Sequence, residues 1–129
     1  MEITVSQEQG RVPVTVVHVR GNIDSTSYEQ FQTRVNGLIQ HGSTDMLLDL
    51  HDVPYMSSAG LRVLNLIYNQ LNREQDPSTV SKGVSAGTYK AAHFKLLAPS
   101  ARVKETLKMS GFDMFLDIHS NLKDALAAF

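Results

Sequence analysis

Two adjacent serines, Ser57 and Ser58, are the residues of this chain whose type and setting could do chemistry. They lie in DLHDVPYMSSAGLRVLNLIY, Asp49 to Tyr68. An apolar run (Met46, Leu47, Leu48, Leu50) is broken by Asp52 and Pro54 ahead of them. After them Leu61, Leu64, Tyr68 and Leu71 recur at helical spacing, with Val63 and Ile67 widening the stripe. That order predicts a strand, a short loop and a helix ending near Arg73, with a serine at the helix start. The first backbone N–H groups of a helix have no internal partner, so a serine oxygen there can cap them, which stabilises by about 1 kcal/mol. The same donors, with the positive end of the helix dipole, also suit a phosphate, and a serine there can carry one covalently. On the residues alone both uses stand open.

A third use of the serines is nucleophilic. Met56-Ser57-Ser58-Ala59-Gly60 has the serine and second glycine of a G-x-S-x-G elbow, but Met56 occupies the position where the tight turn needs glycine. A base would have to be His93 or His119, with Asp76 as the acid, and the chain is short for such a hydrolase. No enzyme is expected. The histidines (His18, His41, His51, His93, His119) are scattered, with no pair four apart and no carboxylate cluster expected beside one. They read as surface or strand-end residues, and neither a metal site nor any other cofactor is expected. No G-x-x-x-x-G-K-[ST] or G-x-G-x-x-G occurs, so no nucleotide cradle is expected either.

The elements that must position the serines follow from periodicity. Met1, Ile3 and Val5 alternate with polar residues through about Gln9, as in a half-buried edge strand. Val12 to Val19 is nearly continuous β-branched sequence, as in a strand covered on both faces, and Gly10-Arg11 would join the two as a hairpin. Gly21 to Asp24 ends that strand, and Thr26 with Glu29 fits a capping box for a helix carrying Tyr28, Phe31, Val35, Leu38 and Ile39, stopped by Gly42. Asp24 by position is a helix-cap carboxylate. Past the serine helix, His93 to Ala98 reads as a strand and Pro99 to Met109 as a helix closed by Gly111. Phe115 to Ile118 reads as a last strand, and Ser120 as the cap of a final helix whose Leu122, Ala125, Leu126 and Phe129 share a face. Strands alternating with helices after an opening hairpin predict an α/β domain with a mixed, mostly parallel sheet of about five strands and about four helices.

With 129 residues and 42% hydrophobic content the chain supports one domain with a single core. A net charge of −1 gives no basic excess for phosphate-backbone binding, so no direct nucleic-acid partner is expected. Zero cysteines rule out disulfides and thiolate chemistry and suit a reducing compartment. The polar, alternating start MEITVSQEQG and the lack of any long apolar run predict a cytoplasmic protein without membrane insertion.

The run YMSSAGLRVL after LLDLHDV resembles the STAS domain, in particular the anti-sigma factor antagonists, where a hydrophobic strand leads to such a serine loop. RGNID (Arg20 to Asp24) resembles the family's glycine-x-leucine-aspartate at the end of the second strand, and Ala98 to Leu126 its C-terminal third. The resemblance covers nearly the whole chain, 1–129, apart from about Gln75 to Ala92. There DPSTVSKGVSAGTYKAA, residues 76–92, departs from the family's short glycine turn and reads as an added loop. The resemblance implies a stress-type signalling protein that regulates transcription by binding an anti-sigma factor serine kinase and is turned off when Ser58 is phosphorylated. Alignment on the family loop puts Ser57 at the preceding aspartate, where it is a competing acceptor, and Ala59 at the second serine. It implies a partner surface of Asp24, Ser25, Ser57, Ser58, Ala59, Gly60, Leu61 and Arg62. A constitutive STAS scaffold that is never phosphorylated is the alternative, and the added loop speaks for it.

Overall fold

The computed structural model describes residues 1–71 and 91–129. A five-stranded sheet runs in the order β1 (Glu2–Gln9), β2 (Pro13–Arg20), β3 (Met46–Asp52), β4 (Phe94–Leu97), β5 (Ile118–His119). The opening pair is antiparallel and every later pair parallel. The described helices are α1 (Tyr28–Gln40), α2 (Ser58–Leu71), α3 (Ala101–Met109) and α4 (Leu122–Ala127). The expected mixed sheet with an N-terminal hairpin is therefore observed. Most of the expected added loop, and residues 72 and 73 of the expected second helix, lie outside the described residues.

Strand periodicity divides the core in two. Val17 and Val19, Met46, Leu48 and Leu50, and Phe94 and Leu96 face one way, against Phe31 and Val35 of α1, Val63, Leu64 and Ile67 of α2, and Val103 and Leu107 of α3. Val14, Val16, Leu47 and Leu97 face the other way, covered by Ala125, Leu126 and Phe129 around α4. Burial on both faces is why β2 and β3 read as unbroken apolar runs. α4 is short, and beyond its reach the second face turns polar at Ser6, His18, Asp49 and His51.

Three local expectations are corrected. The Thr26–Glu29 capping box does not form, because α1 begins at Tyr28 and Thr26 instead donates its N–H and hydroxyl to the Asp24 carboxylate at 2.9 and 2.7 Å. The last strand is not Phe115 to Ile118. A 3₁₀ turn (Phe112–Met114) follows Gly111, whose φ of 79° starts it, and Phe115 packs edge-on against Tyr68 at 4.9 Å rather than extending. Asn121, not Ser120, caps the final helix, accepting from the Asp124 N–H at 2.9 Å. The stop at Gly42 is as expected: Ser43 N–H reaches Leu38 O and Gly42 N–H reaches Ile39 O, a Schellman closure around a φ of 105°.

Candidate functional site

The two serines divide the roles that the sequence left open. Ser57 precedes α2 and its hydroxyl accepts from the Ala59 N–H at 3.2 Å, while its carbonyl accepts the Leu61 N–H at 3.0 Å. Ser58 is the first residue of the helix and is exposed. Capping thus falls to Ser57, and the Ser58 hydroxyl stands at the positive end of the helix dipole without a part in holding the helix together.

The loop is fixed by its neighbour. Ile23 and Met56 form an isolated parallel bridge; Ile23 N–H donates to Tyr55 O at 3.0 Å and Ser57 N–H to Ile23 O at 2.9 Å. Gly60 is required where this bridge meets α2, since a Cβ there would lie 2.7 Å from Met56 Cγ and 2.9 Å from Ile23 Cγ2. The chain's glycine at this point is a packing necessity. The bridge also sets the Asp24 turn beside the serine loop. Asp24 accepts from the Thr26 hydroxyl and N–H and from Ser27 Oγ, and the Thr26 hydroxyl leads in holding its carboxyl below the usual value of 3.8. An ionised carboxylate is therefore held on the turn adjoining Ser58.

Of the expected surface residues, Ser25, Ser58 and Arg62 are exposed, Asp24, Ser57, Ala59 and Leu61 are half-buried and Gly60 is buried. The structure joins the Asp24 and Ser57 segments through backbone, and Arg62 follows Ser58 by one helical turn. Sequence reasoning missed Tyr55 and Arg102. Tyr55 is 36% exposed and carries the Arg102 guanidinium 4.9 Å from its ring centre, so the first turn of α3 borders the loop. Nothing in the local pattern around Arg102 signals this, because α3 is distant in sequence. The elbow reading loses one of its two bases: His93 sits before β4 and pairs with Asp45 at 2.8 Å, at the strand ends opposite the serine loop, while His119 ends β5 and Asp76 lies outside the described residues.

The view of the histidines as lacking carboxylate neighbours is also corrected. His18 and His93 each meet an aspartate distant in sequence, as register dictates, and His51 meets its sequence neighbours Asp49 and Asp52. Among the described residues no group of His, Asp and Glu is arranged to hold a metal ion. Nor is any described helix long and apolar enough to cross a membrane.

The sequence model of the STAS domain matches residues 4–76, β1 through the serine loop and α2. The chain belongs to the STAS domain family. This STAS domain is 26% identical over 129 residues to BtrV of Bordetella bronchiseptica, named as a candidate anti-sigma factor antagonist, spanning 100% of this chain and 95% of that protein. It superposes on the crystal structure of an anti-sigma factor antagonist from Mycobacterium paratuberculosis with a TM-score of 0.70 at 22% identity, over 98% of this chain and 93% of that one. It also matches the Bacillus cell fate determinant SpoIIAA in its phosphorylated form, with a TM-score of 0.62 at 16% identity over 96% of each chain. These structural likenesses establish that the STAS domain has the anti-sigma antagonist type of fold.

Proposed function

We propose that this STAS domain is an anti-sigma factor antagonist. It binds an anti-sigma factor serine kinase through the Asp24 turn and the Ser58 loop, and phosphorylation of Ser58 releases it. The observation that carries this reading is the division of labour at the start of α2: Ser57 caps the helix, and Ser58 is exposed beside it. Support comes from the similarity to BtrV along the whole chain and from the existence of SpoIIAA in both phosphorylated and unphosphorylated forms.

The mechanism is electrostatic. A phosphate adds about −1.5 to −2 charges, which α2 tolerates because its first turn holds no acidic residue and its dipole is positive there. The same charge lies next to the ionised Asp24 and in the middle of the surface offered to the partner. If it spoils contacts of about 2 to 5 kcal/mol, affinity falls roughly thirtyfold to several-thousandfold. The protein acts by binding in this scheme and turns nothing over.

Titration calorimetry against an anti-sigma factor serine kinase from the same organism tests the proposal. Ser58→Ala keeps affinity and Ser58→Asp loses it by the factor given, and mass spectrometry of protein from growing and stressed cells finds phosphate on Ser58. Phosphate on Ser57 with Ser58 untouched would move the switch by one residue. Unchanged affinity in Ser58→Asp would make the domain a constitutive adaptor.

A further inference from the structure

On the second face of the sheet, where α4 ends and the surface turns polar, Ser6, His18 and Asp49 form a line. Register puts them there: His18 is opposite Asp49 in the parallel β2–β3 pair, and Ser6, opposite Val16, is the diagonal neighbour of His18 across the hairpin. Ser6 Oγ lies 3.0 Å from His18 Nε2, and His18 Nδ1 lies 2.8 Å from Asp49 Oδ2.

Hydrogen-bond accounting places the proton between His18 and Asp49. Asp49 is 5% exposed; burial pushes its carboxyl up, but hydrogen bonds from His51 and His18 outweigh this and hold it below its usual value, so it is ionised and only accepts. As a neutral ring His18 then donates from Nδ1, which leaves the Nε2 lone pair to accept the Ser6 hydroxyl proton. The other Asp49 oxygen accepts His51 Nδ1 at 2.8 Å and the His51 backbone N–H at 3.1 Å. His51 Nε2 is 3.0 Å from Asp52, so His51 lies between two carboxylates and is disposed to be a cation. The carboxylate is thereby locked in place, and His18 in the tautomer that a general base on serine requires.

We infer that Ser6 is an activated serine, a second covalent modification site that accepts acyl groups from esters and thioesters with good leaving groups. Ser6 Oγ attacks the acyl carbon while its proton passes to His18 Nε2. The bond from that carbon to the leaving oxygen or sulfur breaks, and the leaving group takes the proton back from His18. The products are an ester on Ser6 and a free alcohol or thiol; nothing is oxidised or reduced, and Asp49 stays ionised. Ser6 is half-buried on an open sheet face and the His18 side chain is 37% exposed, so an acyl donor can approach. The Ser6–His18–Asp49 line supplies a nucleophile and its base but no group of its own that binds a substrate or speeds deacylation, and so the reaction is a single modification rather than turnover.

The test treats the folded full-length chain with p-nitrophenyl acetate and follows acetylation of each serine by peptide mass spectrometry. Ser58, exposed and without a base, is the internal reference. Ser6 is expected to react about a hundredfold or more faster than Ser58, the usual contribution of a positioned general base. His18→Gln, with an unchanged circular dichroism spectrum, is expected to remove that advantage, and Ser6→Ala to remove the modified peptide. Ser6 reacting no faster than Ser58, or as fast in His18→Gln as in the parent, would overturn the inference. The comparison within the parent protein decides by itself if His18→Gln does not fold.

Discussion

Asp49 is the residue on which the second face of the sheet turns. It is buried, bears two imidazoles and a backbone N–H, and has no apolar isostere that would satisfy them. Asp49→Asn keeps the shape but puts an amide N–H₂ where one of these donors must go. The expected cost is about 1 to 3 kcal/mol, read from urea unfolding curves. The linkage to pH has a definite sign at two groups. The hydrogen bond to Asp49 leads in raising His51 above its usual value of 6.5. Its stabilisation is therefore complete below that value and lost as pH rises through the raised one. Asp49, lowered from 3.8, contributes above its usual value and loses its contribution as pH falls through the lowered one. Unfolding midpoints measured from about pH 6 to about pH 9 are expected to show the parent chain's advantage over His51→Gln shrinking as pH rises. A constant advantage would mean that the pairing carries no proton linkage.

At the scale of elements, the serine loop depends on how closely α2 approaches the bridge between Ile23 and Met56. Gly60→Ala adds one methyl where there is space for none. The expected result is a loss of about 1 to 3 kcal/mol in denaturant unfolding, with the partner affinity weakened as well because the loop moves with the helix. If Gly60→Ala were as stable as the parent, the bridge would not be setting the helix position. The same elements show what the sequence could tell. β2 and β3 were legible because a strand buried on both faces leaves a continuous β-branched or aliphatic run, and the serine loop was legible because Pro54 and Gly60 punctuate it. The His18–Asp49 pair was not. Residue periodicity assigns each side chain to a face, whereas which residue stands opposite which across 31 positions is a property of parallel register. The capping of α1 was misplaced for a related reason, since Thr26 had two potential partners and the nearer, Asp24, took it. The short β5 was misjudged because apolar content cannot distinguish an extended segment from one curled around an aromatic contact.

Among the described residues the molecule is asymmetric about its sheet: α1, α2 and α3 cover one face, and the small α4 covers part of the other. The patch beneath α4, Val14, Val16, Leu47 and Leu97, depends on that one helix and on Leu126 and Phe129 around it. Phe129 also lies over the buried Lys95, whose ammonium pairs with Asp117 at 3.0 Å and sits 5.4 Å from the ring centre. Removing residues 120–129 is expected to uncover this patch, read as increased binding of a hydrophobic dye and self-association by light scattering. A truncated chain that kept the parent's size in solution and stayed dye-free would show that α4 is dispensable as a cover.

The strands stand side by side in the order in which they occur in the chain. Each new strand joins an edge already in place, and none has to be inserted between two earlier ones. A ribosome releasing this chain therefore presents the hairpin before the later strands, which then add successively to one growing border, so pairing within the sheet never waits for a later segment. The backbone bridge that holds the serine loop, between Ile23 and Met56, lies within the first three strands and their connections and can form before the last two strands are made.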